Sequence, residues 1–189
     1  MAQTASNVSA AKPRTGGAVW IADEGTTLPT DAVTALDNAF ECLGYVSEDG
    51  LTNSNTPNTE EIHAWGGDPV LTLYNAKDDT FKYNLIEVLA VAVLKSVYGP
   101  ENVSGTLETG IVVKANNKEL PNKAYVFEMI MRDGALKRIV LPSASITALE
   151  DITYSDSSAI GYGVTLSAHA DETGNTHYEY IKKATVANG

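Results

Sequence analysis

The sequence predicts a mainly β (α+β) fold, an antiparallel β-sandwich or barrel with one main flanking α-helix. Three observations predict it. First, six strand-like runs follow one another in the second half: Val103–Ala115, Lys123–Arg132, Leu136–Leu141, Ala144–Tyr154, Ile160–Asp171 and Thr176–Ile181. Second, short turn signals separate them, among them Asn116-Asn117, Arg132-Asp133-Gly134, Pro142-Ser143, Asp156-Ser157-Ser158 and Glu172-Thr173-Gly174-Asn175. Connections that short join antiparallel neighbours, because a parallel pair needs a long crossover. Third, one stretch, Phe81–Asn102, has apolar residues at helical spacing over a long run.

In chain order, residues 1–15 are small and polar with Pro13, and are expected to form a flexible N-terminal arm. Ala18–Ala22 reads as a strand. Val33, Leu36 and Phe40 follow Thr30 at helical spacing, which predicts a short helix at about 31–42, stopped by Gly44. A long polar loop is expected at about 46–65, rich in Asn, Thr and Ser, extending as a mobile hairpin that orders on a partner. Val70–Tyr74 and Thr80–Tyr83 read as two strands with a turn at Lys77-Asp78-Asp79 between them. The main helix is expected at about 84–98, with Asn84 as N-cap and Gly99-Pro100 as its stop. Leu85, Val88, Leu89, Ala92, Val93 and Val97 share one face, so Leu89 is expected in the core and an acid there should abolish folding. The whole is a single domain over 16–183 with a C-terminal tail at 184–189.

Composition excludes several functions. The formal charge is −11, and residues 1–94 hold thirteen acidic but only four basic side chains. Such a chain repels nucleic acid, whose binding needs Lys and Arg to displace counterions. One cysteine, Cys42, rules out an internal disulfide framework and reads as a small core residue. The N-terminal stretch has no apolar core, so it is not expected to act as a secretory signal. The longest uncharged apolar run, Val88–Leu94, is too short to span a bilayer, and no membrane partner is expected.

Little in the sequence points to catalysis. Gly161-Tyr162-Gly163 lacks the third glycine of a dinucleotide loop and sits in a strand. His63, His169 and His177 show no metal-ligand spacing, although the last two flank one predicted hairpin. The pairs Glu48-Asp49, Glu60-Glu61, Asp78-Asp79 and Glu150-Asp151 are adjacent residues, which point to opposite sides of a strand and so form no catalytic pair. No catalytic residue, metal or cofactor is expected.

The run LGYVSEDGLTNSNTPNTEEIHAWGGDPVLTL, Leu43 to Leu73, resembles the major tail tube proteins of long-tailed, non-contractile bacteriophages, most of all those of Gram-positive hosts. LPTDAVTALDNAFECLG before it, TFKYNLIEVLAVAVLKSVYGPENV after it, and DITYSDSSAIGY near the end resemble the same family. The resemblance covers about residues 16–181 and is most specific at Gly44–Gly50 and Ala64–Asp68. It implies a virion protein, assembled in the host cytoplasm, whose hexameric rings stack into a tail tube. Its partners would be itself and the tape-measure, tail tip and tail terminator proteins, with double-stranded DNA passing through unbound. Contacts between rings would come from the segments Thr4–Gly16 and Ser47–His63, with Thr4, Arg14, Glu48, Asn53, Thr59 and His63 as candidates. Glu108, Glu128 and Glu150 are candidates to line the channel, while Lys12, Arg14, Lys77, Lys114, Lys118 and Lys123 suit contacts between rings. Two alternatives stand beside this reading: a tube or ring protein of a related injection or secretion machine, and a carbohydrate-binding β-sandwich using Tyr45, Trp65 and Tyr74.

Overall fold

A computed structural model describes residues 3–183, so the C-terminal tail at 184–189 lies outside the described residues. The strands are β1 (Ala11–Pro13), β2 (Val19–Asp23), β3 (Glu41–Cys42), β4 (Thr52–His63), β5 (Pro69–Leu85), β6 (Val103–Ser104), β7 (Val112–Val113), β8 (Lys123–Met131), β9 (Leu136–Leu149), β10 (Tyr162–His169) and β11 (Tyr178–Lys182). The α-helix, α1, is Val91–Tyr98. The main sheet runs β3-β2-β8-β9-β10-β5-β4, with β1 also on β8 and β11 also on β9. Every pairing in it is antiparallel.

The sheet curls until its two ends meet. Leu43 N donates to Val19 O on β2, while Ser47 N donates to Asn84 O and Ile86 N donates to Tyr45 O on the β5 side. The segment Leu43–Ser47 thus stitches one end of the sheet to the other. Gly44 permits the crossing. Its φ is +75°, and a Cβ there would sit 2.3 Å from the Glu87 carboxyl carbon, where Glu87 Oε1 accepts from Tyr45 N at 2.8 Å.

Alternation along the strands fills two cores. On the concave side, Phe81, Tyr83 and Leu85 of β5 meet Tyr125 and Phe127 of β8, Ile139 and Leu141 of β9, and Val164 and Leu166 of β10. Phe81 stacks on Phe127 with centroids 5.7 Å apart, and Tyr83 meets Phe127 edge-on at 5.5 Å. Helix α1 closes this core with Val93, Leu94 and Val97. On the convex side, Ala124, Val126 and Val140 pack with Ala22 and Phe40 under the segment 24–40.

The main helix is half the expected length. Residues 84–90 are not helical, because Asn84 and Leu85 continue β5 and pair with Gly163 and Tyr162 of β10. Asn84 is therefore not the N-cap; Ala90 occupies that position without a side-chain cap. The period-two set Phe81/Tyr83/Leu85 and the period-3.6 set share the apolar residues, and sheet pairing decides between them. Gly99 does end the helix, at φ +92°, with its N–H on Lys95 O. Leu89 falls in the connection and is 62% exposed, whereas Val93 is 0% exposed. The expectation for Leu89 is thereby reversed. Leu89→Asp should fold with a melting temperature near the parent's, and Val93→Asp should yield no cooperative melt, since an unpaired buried carboxylate costs several kcal/mol, on the order of total stability. Thermal denaturation followed by circular dichroism distinguishes the two.

The helix expected at about 31–42 is a series of turns. Asp31 Oδ1 accepts the N–H groups of Val33 and Thr34, as a cap would. The turn does not propagate, because Arg138 takes the carbonyls of Asp31 and Thr34 that helical N–H groups would need. Asp37 then starts a second turn, and Glu41–Cys42 is a strand. Two expected turns lie inside strands: Lys77-Asp78-Asp79 within β5, and Pro142-Ser143 within β9. The second coincides with a register shift between Lys123 and Tyr125, a bulge that tolerates a residue without an N–H.

Candidate assembly surface

Beyond the body, β4 and β5 run on as a two-stranded hairpin. Asn55 pairs with Asp79, Thr56 with Asp78 and Pro57 with Lys77, and the ladder continues to His63 opposite Pro69. Every residue from Thr52 to Asp78 is exposed. At about 3.4 Å per residue the hairpin reaches about 30 Å past its root. Strand β10 pairs with β5 only between Thr80 and Leu85, so the distal part of β5 has no neighbour but β4. Two strands alone are marginal in water, and their open edges invite pairing. The region expected as a long loop extending as a mobile hairpin is a two-stranded ladder whose side chains face no core among the described residues.

The side chains on this ladder are not those of a solvated arm. Ile62 faces Leu71, and Leu73 faces Glu60, on one side; Val70 and Tyr74 lie on the other. All five apolar groups are exposed. At the tip, Ala64 N donates to Asp68 O at 2.8 Å and Gly67 N donates to Ala64 O at 3.0 Å, leaving Trp65 fully exposed. A surface with apolar side chains on both faces and an indole at its end fits burial between neighbours.

The root is fastened to the body by Asp79, the first buried residue of β5, 2% exposed. Its carboxylate accepts from Asn53 Nδ2 at 2.8 Å and Thr176 Oγ1 at 2.6 Å, and meets His177 Nδ1 at 2.5 Å. Burial pushes the Asp79 carboxyl up; the hydrogen bonds of Thr176, His177 and Asn53, with the charge of His177, more than offset it and hold it below its ordinary value. Thr176 and His177 are presented by the β10–β11 turn, which is built on Asp171. Asp171 accepts from the Tyr178 hydroxyl, from the hydroxyl and N–H of Thr173, and from Asn175 N. These bonds lower its pKa to about 2. With the folded value depressed, the contribution of this turn is present above about pH 4 and is lost as pH falls through about 2. Carboxyl carbon shifts of Asp171 in an acid titration should report that midpoint.

The N-terminal segment is fastened too. Strand β1 pairs with Met129–Met131 of β8, and Arg14 N donates to Glu128 O. The Arg14 guanidinium donates to Glu128 Oε1 at 2.7 Å. The same oxygen accepts from Arg138 Nε at 3.0 Å and Nη2 at 2.5 Å. Glu128 is 6% and Arg138 is 1% exposed. Within the arm expected over 1–15, Ala11–Pro13 pairs with β8 and Arg14 forms an ion pair with Glu128.

The expected site residues separate as follows. Asn53, Thr59 and His63 all stand on β4, Asn53 in the root and His63 beside Glu61, 3.7 Å away. Thr4 precedes a short 3-10 turn. Glu48 lies in an exposed turn and lines, with Ala11–Pro13, a cleft of about 430 Å³ floored by Tyr83 and Phe127. Arg14 is held by Glu128, and Lys123 by Asp23, within the chain. Glu108 is exposed, and a hydrogen bond from the Thr106 hydroxyl lowers its pKa. Glu150 is exposed and lies over Gly163, where a Cβ would sit 2.5 Å from its Oε2. That contact is the structural use of the second glycine in Gly161-Tyr162-Gly163. Glu128, the third candidate for the channel, is buried and paired with Arg138 and Arg14 within the chain. His169 meets Ser145 Oγ at 2.9 Å, whereas His177 is taken by Asp79.

The sequence reading weighed His177 only as a metal ligand and Asp79 only as an acid of a turn, and passed over Arg138. Arg138 had left a weak signal: a charged residue beside Lys137 in the strand-like run Leu136–Leu141, with Glu128 in the preceding predicted strand.

A β-barrel-like body that, among the described residues, exposes an apolar-faced hairpin with an indole at its tip has the surface of a protein that assembles with its neighbours. Residues 2–189 match the family described as phage tail tube protein, and the chain belongs to that family. It is a structural protein of the virion tail. No curated protein matches the chain. Among the described residues, no helix is long and apolar enough to cross a membrane.

Proposed function

We propose that the protein forms hexameric rings that stack into the tail tube of a long-tailed, non-contractile phage of a Gram-positive host. The tube carries double-stranded DNA without binding it, and meets tape-measure, tail tip and tail terminator proteins along its lumen and at its ends. The observation that carries this reading is the hairpin, a long two-stranded ladder with apolar side chains on both faces and nothing among the described residues to bury them. A neighbouring subunit supplies the missing partner. Thr59 and His63 on the hairpin, with Glu48 and the N-terminal segment containing Thr4, form the contact set between rings.

Glu108 and Glu150, both exposed, are the proposed channel acids. Lys12, Lys77, Lys114 and Lys118 are exposed and suit contacts between acidic subunits. Electron microscopy of concentrated protein tests the assembly: six-fold rings or tubes are expected, and a monomer at every concentration would refute it. Intact tubes should not bind double-stranded DNA at physiological salt.

Trp65→Ser is expected to leave the monomer's melting temperature unchanged, because the indole is fully exposed among the described residues. Its loss from a buried contact should raise the concentration threshold for assembly by about tenfold or more, the usual penalty for an aromatic anchor. Light scattering against concentration reads both threshold and order of assembly.

A further inference from the structure

The root of the hairpin holds a group that no tube wall or ring contact requires. Asp79 is buried at the point where β5 leaves the body, and three elements converge on it: β4 through Asn53, β5 itself, and the β10–β11 turn through Thr176 and His177. Asn53 also donates to Thr80 O, so the first rung of the hairpin is tied on both sides of Asp79. The His177 ring is packed edge-on against Phe81, with centroids 5.3 Å apart, which fixes its plane toward the carboxylate.

We propose that Asn53, Asp79, Thr176 and His177 form a proton-responsive clamp that sets the direction of the hairpin and tightens when His177 takes up a proton. Neutral His177 gives the Asp79 carboxylate a hydrogen bond through Nδ1–H, assisted by the acceptor's charge alone. Protonated His177 adds the attraction of a full opposite charge in a poorly solvated site, so the same contact tightens. Histidine changes charge between about pH 5 and 8, whereas Asp79 remains ionised across that range, being held below the ordinary carboxylate value. The charge acting on Asp79 is that of His177. The groups facing the pair from other elements are neutral: Asn53 from β4, Thr176 beside the histidine, and Phe81 from the core. Asp171, in the same turn, is occupied by the Tyr178 hydroxyl and the turn N–H groups, and Lys77, Asp78 and Lys82 on β5 are exposed.

The consequence for assembly rests on the hairpin being the contact between subunits; the clamp itself does not. A hairpin held in one direction presents Trp65 and the apolar strip already oriented, so docking spends less entropy. Lower pH therefore favours assembly.

Amide exchange on the monomer, corrected for intrinsic rates, tests the clamp at Thr52–Asn55 and Asp78–Thr80. Protection there should be about five- to tenfold higher at pH 5.5 than at pH 8 in the parent. His177→Gln keeps a donor but takes up no proton, and should abolish that difference. Asp79→Asn should give weak protection at both values. If the variants fail to fold, the parent alone decides by nuclear magnetic resonance: proton uptake by His177 should shift the Asn53 side-chain amide in step. Equal protection at both pH values, a pH difference surviving in His177→Gln, or a silent Asn53 amide would overturn the clamp. Where protection responds as expected, the assembly threshold should fall with pH in the parent and not in His177→Gln. A protein that shows the protection change but assembles at neither pH retains the clamp and loses the tube.

Discussion

Arg138→Ala should lose a large part of the domain's stability and melt far below the parent. Arg138 is almost wholly enclosed, and its guanidinium makes four connections: two to Glu128 Oε1 and one each to the carbonyls of Asp31 and Thr34. It joins β9 to β8 and fastens to both the segment that covers the convex core. Truncation leaves the buried Glu128 carboxylate with Arg14 alone, and leaves two carbonyls without a donor. Breaking a buried pair from one side costs about 3–5 kcal/mol, against a total stability of about 5–15 kcal/mol for a domain. The loss falls on the covering segment and on β1, whose Arg14 shares the same oxygen.

The pair need not be a net source of stability. Replacing both members with apolar residues of similar volume is often neutral or stabilising, because two desolvation costs disappear together. Glu128→Leu combined with Arg138→Met should therefore recover much of what Arg138→Ala loses in the body. The carbonyls of Asp31 and Thr34 would still lack a donor, so recovery stays incomplete. Urea denaturation of the two variants measures the difference. Equal losses would show that the carbonyl bonds, not the stranded charge, dominate.

From Lys123 onward the strands were legible because their side chains face a core, whereas Val103–Ala115, read as one strand, is mostly exposed and keeps only the two-residue β6 and β7. Tyr125 and Phe127 alternate with Val126 and Glu128, and the structure sends the two sets to opposite cores, with Arg138 meeting Glu128 across the strands. The hairpin was opaque for the opposite reason. Thr52–Asn58 pairs in unbroken register, yet beyond Asn53 neither of its faces meets the body, so no alternation marks it, and its Asn, Ser and Thr read as a long loop extending as a mobile hairpin. Residues 84–90 carried two apolar periods at once, and a long-range partner, β10, chose between them. The turn at Asp31 carried a real cap signal, overruled by an arginine more than a hundred residues away. The contact at Asp79 has the same character: its partners stand 26, 97 and 98 residues off in sequence.

Excision of the hairpin should separate folding from assembly. The register offers a clean cut: Thr56 and Asp78 are paired, so Pro57–Lys77 can be replaced by Asn-Gly as a two-residue turn. Asn53 and Asp79 remain, and with them the clamp. The removed residues are all exposed, so no core contact is lost. Loop closure depends only logarithmically on length, about 0.6 kcal/mol per doubling, and the new turn is tighter than the old ladder. The melting temperature should therefore stay within a few degrees of the parent's, since about 1 kcal/mol moves a domain of this size by about 2–4 °C. Solubility should improve, because two open strand edges and the exposed Trp65, Leu71 and Leu73 are gone. Assembly should not survive. Each subunit loses the surface proposed to enter its neighbour, and the remaining contacts bring together bodies that are strongly acidic, with repulsion that salt reduces but does not abolish. Size-exclusion chromatography with light scattering should give a monomer at concentrations where the parent forms rings or tubes. Normal tubes from a well-folded variant would remove the hairpin from the assembly and place the contact on the cleft between Ala11–Pro13 and Val46–Leu51.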